Sequence, residues 1–161
     1  IAHFENVYRS TRHRFFSVSK EATKQLLQAV YCLGFCYCEL CLFEKAFYYL
    51  NMVKSTGDIH HAMEYVNVLA NSGDLRVFKE IETIVDDVRQ QFPDDDDLPE
   101  HVQKLLSFLK RRHGYSLIEF GKLDEAEKVF KSLLDDPISQ DYAVSELAYI
   151  QKLKSNESPD S

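Results

Sequence analysis

Between residues 20 and 39 the apolar positions fall on two stripes rather than one. Val30, Leu33, Gly34 and Tyr37 form the first, and Tyr31, Phe35 and Cys38 form the second. A helix with two apolar stripes is packed on more than one side. Further along, Phe78, Ile81, Val85 and Val88 recur at helical spacing. This predicts an amphipathic helix from about residue 75 to about 92, stopped by Pro93. The same period predicts helices over about 43–54, 59–69, 99–120, 123–134 and 139–153. Residues 1–19 form an N-terminal segment that reads as helical, with Phe4, Val7, Tyr8 and Phe15 near one face. Ser17 or Ser19 is the expected cap of the helix that follows. Asn71, Ser72, Gly73 and Asp74 make a turn, and residues 155–161 read as a disordered tail.

Small and large residues recur in register. Gly34 precedes Ala46 by 12 residues, as Gly114 precedes Ala126. Leu50 and Val53 follow Ala46 as Phe130 and Leu133 follow Ala126. A glycine lets a second backbone approach its helix, and Gly121 suits a left-handed turn residue between two helices. These residues resemble the tetratricopeptide repeat (TPR) family, whose unit is about 34 residues of helix, turn and helix. The best copy, about 107–140, has Gly114, Leu117, Gly121, Ala126 and Phe130, with Pro137 near its end and Lys110 in place of the first-helix tryptophan. Another, about 27–60, has Leu33, Gly34, Tyr37, Ala46 and Leu50, with Cys41 where the turn glycine belongs. A degenerate copy, about 59–92, keeps Gly73 but has Phe78 at a position that is usually small. Gly73 and Gly121 are 48 residues apart, so an insertion over about 92–106 separates the last two copies.

The resemblance implies an all-α fold. It would be a right-handed superhelical array of antiparallel helix pairs, a TPR-like α-solenoid over about 20–154. About three repeats are expected, with an N-terminal helix and a C-terminal capping helix. Five glycines and four prolines in 161 residues agree with helix over a turn-rich β architecture. With 45% hydrophobic and 28% charged residues, the chain reads as one globular domain.

Charge and chemistry narrow the function. A net charge of −7 argues against general nucleic-acid binding, which needs a basic field. Arg9, Arg12, Arg14 and Lys20 make the N-terminal segment locally basic and read as a solvated face. No apolar run reaches the roughly 18 residues of a membrane span. The first residue is Ile1 rather than Met, as in a piece of a larger protein. Cys32 and Cys36 share one helical face, and Cys38 and Cys41 lie roughly opposite, so the four cannot converge on one zinc. They read as reduced and core-lining, which suggests a reducing compartment and a cytoplasmic location. The acids Asp94 to Asp97 lack the alternation, glycine and closing glutamate of a calcium loop. His60, His61 and Glu64, with His3 or His13, are the one compact polar set that an enzyme reading could use. No phosphate loop, nucleophile elbow or Ser–His–Asp order accompanies it, so no enzyme activity, cofactor or metal is expected.

The family's usual role, carried over by the resemblance, is binding a peptide or protein partner in a concave groove lined by first helices. The matching positions are Gln28, Tyr31, Phe35 and Cys38, then Met63, Asn67 and Asn71, then Phe108, Arg111, Tyr115 and Glu119. Amides at Asn67 and Asn71 suit an extended backbone, Arg111 suits a carboxylate, and Tyr31, Phe35 and Tyr115 supply apolar area. Burial of Tyr31 and Phe35 under the N-terminal helix is the competing reading, as is pairing of Arg111 with an acid on its own helix. The two-carboxylate clamp of some family members is not expected, because Tyr31 and Phe35 stand where it needs basic and Asn residues. The expected function is a non-catalytic protein–protein interaction module. The alternative is a regulatory or sensory region docking on a neighbouring domain of a larger chain, and association with further copies of itself stays open.

Overall fold

The computed structural model describes residues 1–12, 20–54, 56 and 58–157. The expected caps Ser17 and Ser19, and residues 13–16 of the first expected helix, lie outside the described residues. Helices account for the regular structure, with no strand among the described residues: α1 (Ala2–Arg12), α2 (Lys20–Glu39), α3 (Phe43–Val53), α4 (Ile59–Asn71), α5 (Arg76–Gln91), α6 (Glu100–Glu119), α7 (Leu123–Ser132) and α8 (Gln140–Glu157). The all-α class is therefore correct. A short 3₁₀ turn occupies Asp95–Asp97 inside the acidic run. Its amide at Asp96 donates to the Asp94 carboxylate at 3.1 Å, so the run carries its own cap. The helix α8 reaches Glu157, which corrects the expectation that the tail begins at Ser155.

The chain divides into two compact units, Ile1–Ser72 and Gly73–Ser161. The boundary falls in the predicted turn at 71–74. The helices of the degenerate copy are thus shared out, α4 to the first unit and α5 to the second.

Within the first unit α2 packs on α1, α3 and α4. Leu33, Ala46, Leu50 and Val53 are fully buried there. The Tyr37 hydroxyl ties α2 to Glu5 of α1, and the Tyr37 and Tyr49 rings stack with centroids 5.8 Å apart. Within the second unit α6 packs on α5, α7 and α8. Its core gathers Leu117, Leu123, Ala126, Phe130, Leu133, Ala143 and Ile150. At the far end Lys154 of α8 reaches Asp124 at 2.6 Å and also Glu127 of α7. Hydrogen bonds from Lys131 and Lys154 hold the Glu127 carboxyl down at about 2.

The two units repeat one local design at an offset of 80 positions. In the first, Leu42 N–H donates to Tyr37 C=O and Cys41 N–H to Cys38 C=O, both at 2.9 Å. In the second, Lys122 N–H donates to Leu117 C=O at 2.8 Å and Gly121 N–H to Ile118 C=O at 2.9 Å. This paired pattern is the Schellman cap, which satisfies the last carbonyls of a helix by placing the next residue in the left-handed region. Gly121 adopts it with φ 74° and Cys41 with φ 57°. Cys41 is also exposed, which corrects its reading as a core-lining thiol. A side chain at left-handed φ costs about 1–2 kcal/mol, part of which glycine returns as backbone entropy. Cys41→Gly is therefore expected to stabilise the chain by about 0.5–1 kcal/mol, a rise of a few degrees in the melting midpoint. A fall in that midpoint by calorimetry would mean that the Cys41 side chain has a stabilising role.

Candidate functional site

The residues expected to line a groove fall into two sets, one in each unit. In the first unit the seam between α2 and α4 brings several of them together. The Tyr31 ring lies 5.0 Å from the His61 ring. Two turns further along, the Asn71 amide donates to Cys38 Sγ at 3.8 Å. Glu64 of α4 acts electrostatically on both Tyr31 and Cys38. Phe35 lies between Tyr31 and Cys38 along α2, and Asn67 between Glu64 and Asn71 along α4. Helical periodicity therefore sets Phe35 and Asn67 on the two banks of one seam.

Burial is uneven along this seam. Tyr31, Met63 and Asn67 are half-buried, Asn71 is exposed, and Phe35 is 42% exposed. Burial pushes the Tyr31 phenol above its ordinary pKa, with the Glu64 charge acting in the same direction. Cys38 is buried and its thiol is likewise raised, chiefly by burial, while the Asn71 bond opposes the shift. A protonated thiol in such a place is a poor nucleophile and a poor metal ligand. Gln28 is exposed and its amide donates to Cys32 Sγ at 3.4 Å.

The histidine set does not converge. His61 is buried, its Nδ1 lies 2.7 Å from Thr56 Oγ1, and burial lowers its pKa against the pull of Asp58. His60 next to it is exposed, and its backbone N–H donates to the Asp58 carboxylate that caps α4. His3 lines a separate cavity of about 360 Å³ between α1 and α2, together with Phe4, Val7 and Gln28. His13 lies outside the described residues. Among the described residues, no group of three or more His, Cys, Asp or Glu side chains is placed to hold a metal ion.

In the second unit Arg111 and Tyr115, of the expected residues on α6, meet α8. Arg111 is equivalent to Tyr31 at the 80-position offset, as Tyr115 is to Phe35. Arg111 Nη1 donates to Ser139 Oγ at 2.9 Å, and its guanidinium lies 4.6 Å from the centre of the Tyr142 ring. Among the described residues it pairs with no acid on its own helix; Ser139 and Tyr142, around the start of α8, hold it. Ser107 completes the cluster through a hydroxyl–hydroxyl bond to the buried Ser139. Tyr115 is half-buried, edge-on to Phe130 at 5.5 Å, and its phenol is raised by burial and then by Glu146. Phe108 is half-buried and Glu119 exposed.

Sequence reasoning missed Ser107, Ser139 and Tyr142. Ser139 and Tyr142 flank the start of α8, where a serine followed by a tyrosine at helical spacing was the available signal. Both units thus seat the side chain at one equivalent α2 or α6 position against the first turn of a later helix. What remains outward is an aromatic and amide surface in the first unit and a guanidinium–aromatic surface in the second. Such surfaces bind by stacking and by backbone hydrogen bonds. No family model matches the chain, and neither curated proteins nor solved structures yield a match.

Proposed function

We propose that the chain is a non-catalytic protein–protein interaction module of TPR type, an α-solenoid of antiparallel helix pairs that takes a partner segment on its first-helix faces. The fold part rests on the shared Schellman caps and on the glycine-to-large-residue contacts of the two units. The binding part rests on Phe35. A phenylalanine 42% exposed in the middle of a packed helix, beside a half-buried tyrosine and across from Asn67, is apolar area left open where backbone-bonding amides are at hand. Aromatic side chains in such positions supply much of the energy of peptide interfaces. Arg111 joins Tyr115 as a rigid part of the second unit's surface, since Ser139 and Tyr142 already fix its geometry.

The test is a peptide selected from a displayed random library against the whole chain, then titrated against wild type and the Phe35→Ala/Asn67→Ala variant. The variant is expected to bind at least about tenfold more weakly, a change of about 1.4 kcal/mol, with an unchanged circular dichroism spectrum. Equal affinity of two folded proteins would remove the α2–α4 face from the binding surface.

A further inference from the structure

The second unit contains a trough of about 270 Å³ away from the Arg111–Tyr115 stripe. Its floor is a stripe of α6, with Gln103, Leu106, Ser107 and Lys110 at successive helical spacings. Val85 and Arg89 of α5 form one wall, Pro137 and Ile138 of the α7–α8 loop form the other, and Leu98 closes an end. Most of the polar lining is already engaged. The Gln103 amide donates to the Leu98 carbonyl at 2.7 Å, Arg89 pairs with Asp95, and Asp136 Oδ1 accepts the Ile138 N–H at 3.0 Å. Lys110 is the exception: it is exposed and forms no ion pair among the described residues.

We propose that this trough is a second peptide site, taking an aliphatic side chain that stands next to an acidic residue in an extended segment of a protein partner. Three features lead there. The volume is below the roughly 300–1,000 Å³ of sites that enclose a whole small molecule, and suits one or two side chains. The floor from Gln103 to Lys110 runs seven residues, about 10 Å, which is the length of about three extended residues. The apolar lining, Leu98, Leu106 and the 38% exposed Ile138, lies beside the ammonium of Lys110. An aliphatic group therefore gains burial while a neighbouring carboxylate gains a charge partner. With the Gln103 amide nitrogen engaged by the Leu98 carbonyl, its amide oxygen is left to accept a backbone N–H of the same segment. The inference rests on the reading of the chain as a peptide-binding module, but uses none of the α2–α4 residues.

The experiment is nuclear magnetic resonance titration of the ¹⁵N-labelled whole chain with a blocked Gly-Leu-Asp-Gly peptide. Two further peptides carry serine for the leucine or asparagine for the aspartate. The parent peptide is expected to shift the amides of Ser107, Lys110 and Ile138 saturably, with a dissociation constant on the order of 1 mM. The serine peptide should leave them still, and the asparagine peptide should bind about fivefold or more weakly. Lys110→Gln, an exposed substitution that leaves the core intact, should erase the preference for aspartate over asparagine while keeping the need for leucine. Ile138→Ser should weaken all three peptides. Equal binding of the aspartate and asparagine peptides to wild type, or shifts confined to α2 and α4, would overturn the proposal. In the latter case the α2–α4 reading survives. Trough binding combined with a library peptide indifferent to Phe35 and Asn67 would do the reverse.

Discussion

Ala126→Glu is expected to destabilise the second unit by on the order of 3 kcal/mol or more, a large part of the stability of a domain this size. Ala126 is fully buried where α7 meets α6, among Leu117, Leu123 and Phe130. Glutamate adds four heavy atoms to a filled space and brings a carboxyl group that nothing apolar can solvate. The two penalties separate with pH. Burial raises the folded-state pKa of the new carboxyl above its unfolded value of about 4.3. The charge penalty is then absent below that value, and grows as pH rises from it toward the folded-state pKa. Ala126→Gln carries the bulk without the charge. The two variants should have similar urea midpoints near pH 4 and diverge by pH 7, with glutamate the weaker. A glutamate variant melting within about two degrees of wild type at pH 7 would place Ala126 at the surface and shift the repeat register.

The helix boundaries were readable because glycine and proline punctuate this chain sparsely and in the right places. Gly121 with Ala126, and Pro93 after the Val85–Val88 stripe, fix helix ends to within a few residues of those observed. The left-handed turn at Cys41 was readable only by its correspondence to Gly121, since a cysteine carries no turn preference of its own. The exposure of its thiol was not readable, because helical periodicity stops describing a residue once it sits past the helix end. Tyr31 could not be assigned from sequence, since two apolar stripes on α2 leave open which one is covered. The structure places it against His61, half-buried, while Phe35 one turn on stays exposed. Arg111 was legible as a surface cation on the first-helix stripe, but its partners lie at the start of α8, Ser139 just before it and Tyr142 in its first turn. A sequence pattern local to α6 carries no information about them. The trough beside Lys110 was invisible for the same reason, being assembled from α5, α6 and two loops.

Gly34→Ala is expected to destabilise the first unit, although alanine in an open helix gains about 1 kcal/mol over glycine. A Cβ built at Gly34 would lie 2.3 Å from Leu50 Cγ and 2.6 Å from Leu50 Cδ2. The Cγ atom is the branch point of leucine, so it cannot retreat unless the whole side chain moves. Leu50 is fully buried and has nowhere to move to without shifting α3. Overpacking of this kind costs about 1–3 kcal/mol, and here it has to exceed the helix-propensity gain for the variant to lose stability. At the equivalent Gly114 the new Cβ would lie 2.7 Å from the distal edge of the Phe130 ring. These atoms stand at the far end of a longer side chain, where a small change in χ1 moves them further than it moves a leucine branch point, so Gly114→Ala should lose less. Urea midpoints are expected in the order wild type, Gly114→Ala, Gly34→Ala. In the Leu50→Ala background the cost of Gly34→Ala should vanish or change sign, a coupling of about 1–3 kcal/mol across the α2–α3 contact. Independent, additive effects of Gly34→Ala and Leu50→Ala would show that the two helices do not approach at this point. The small-to-large correspondence between the units would then lose its physical basis.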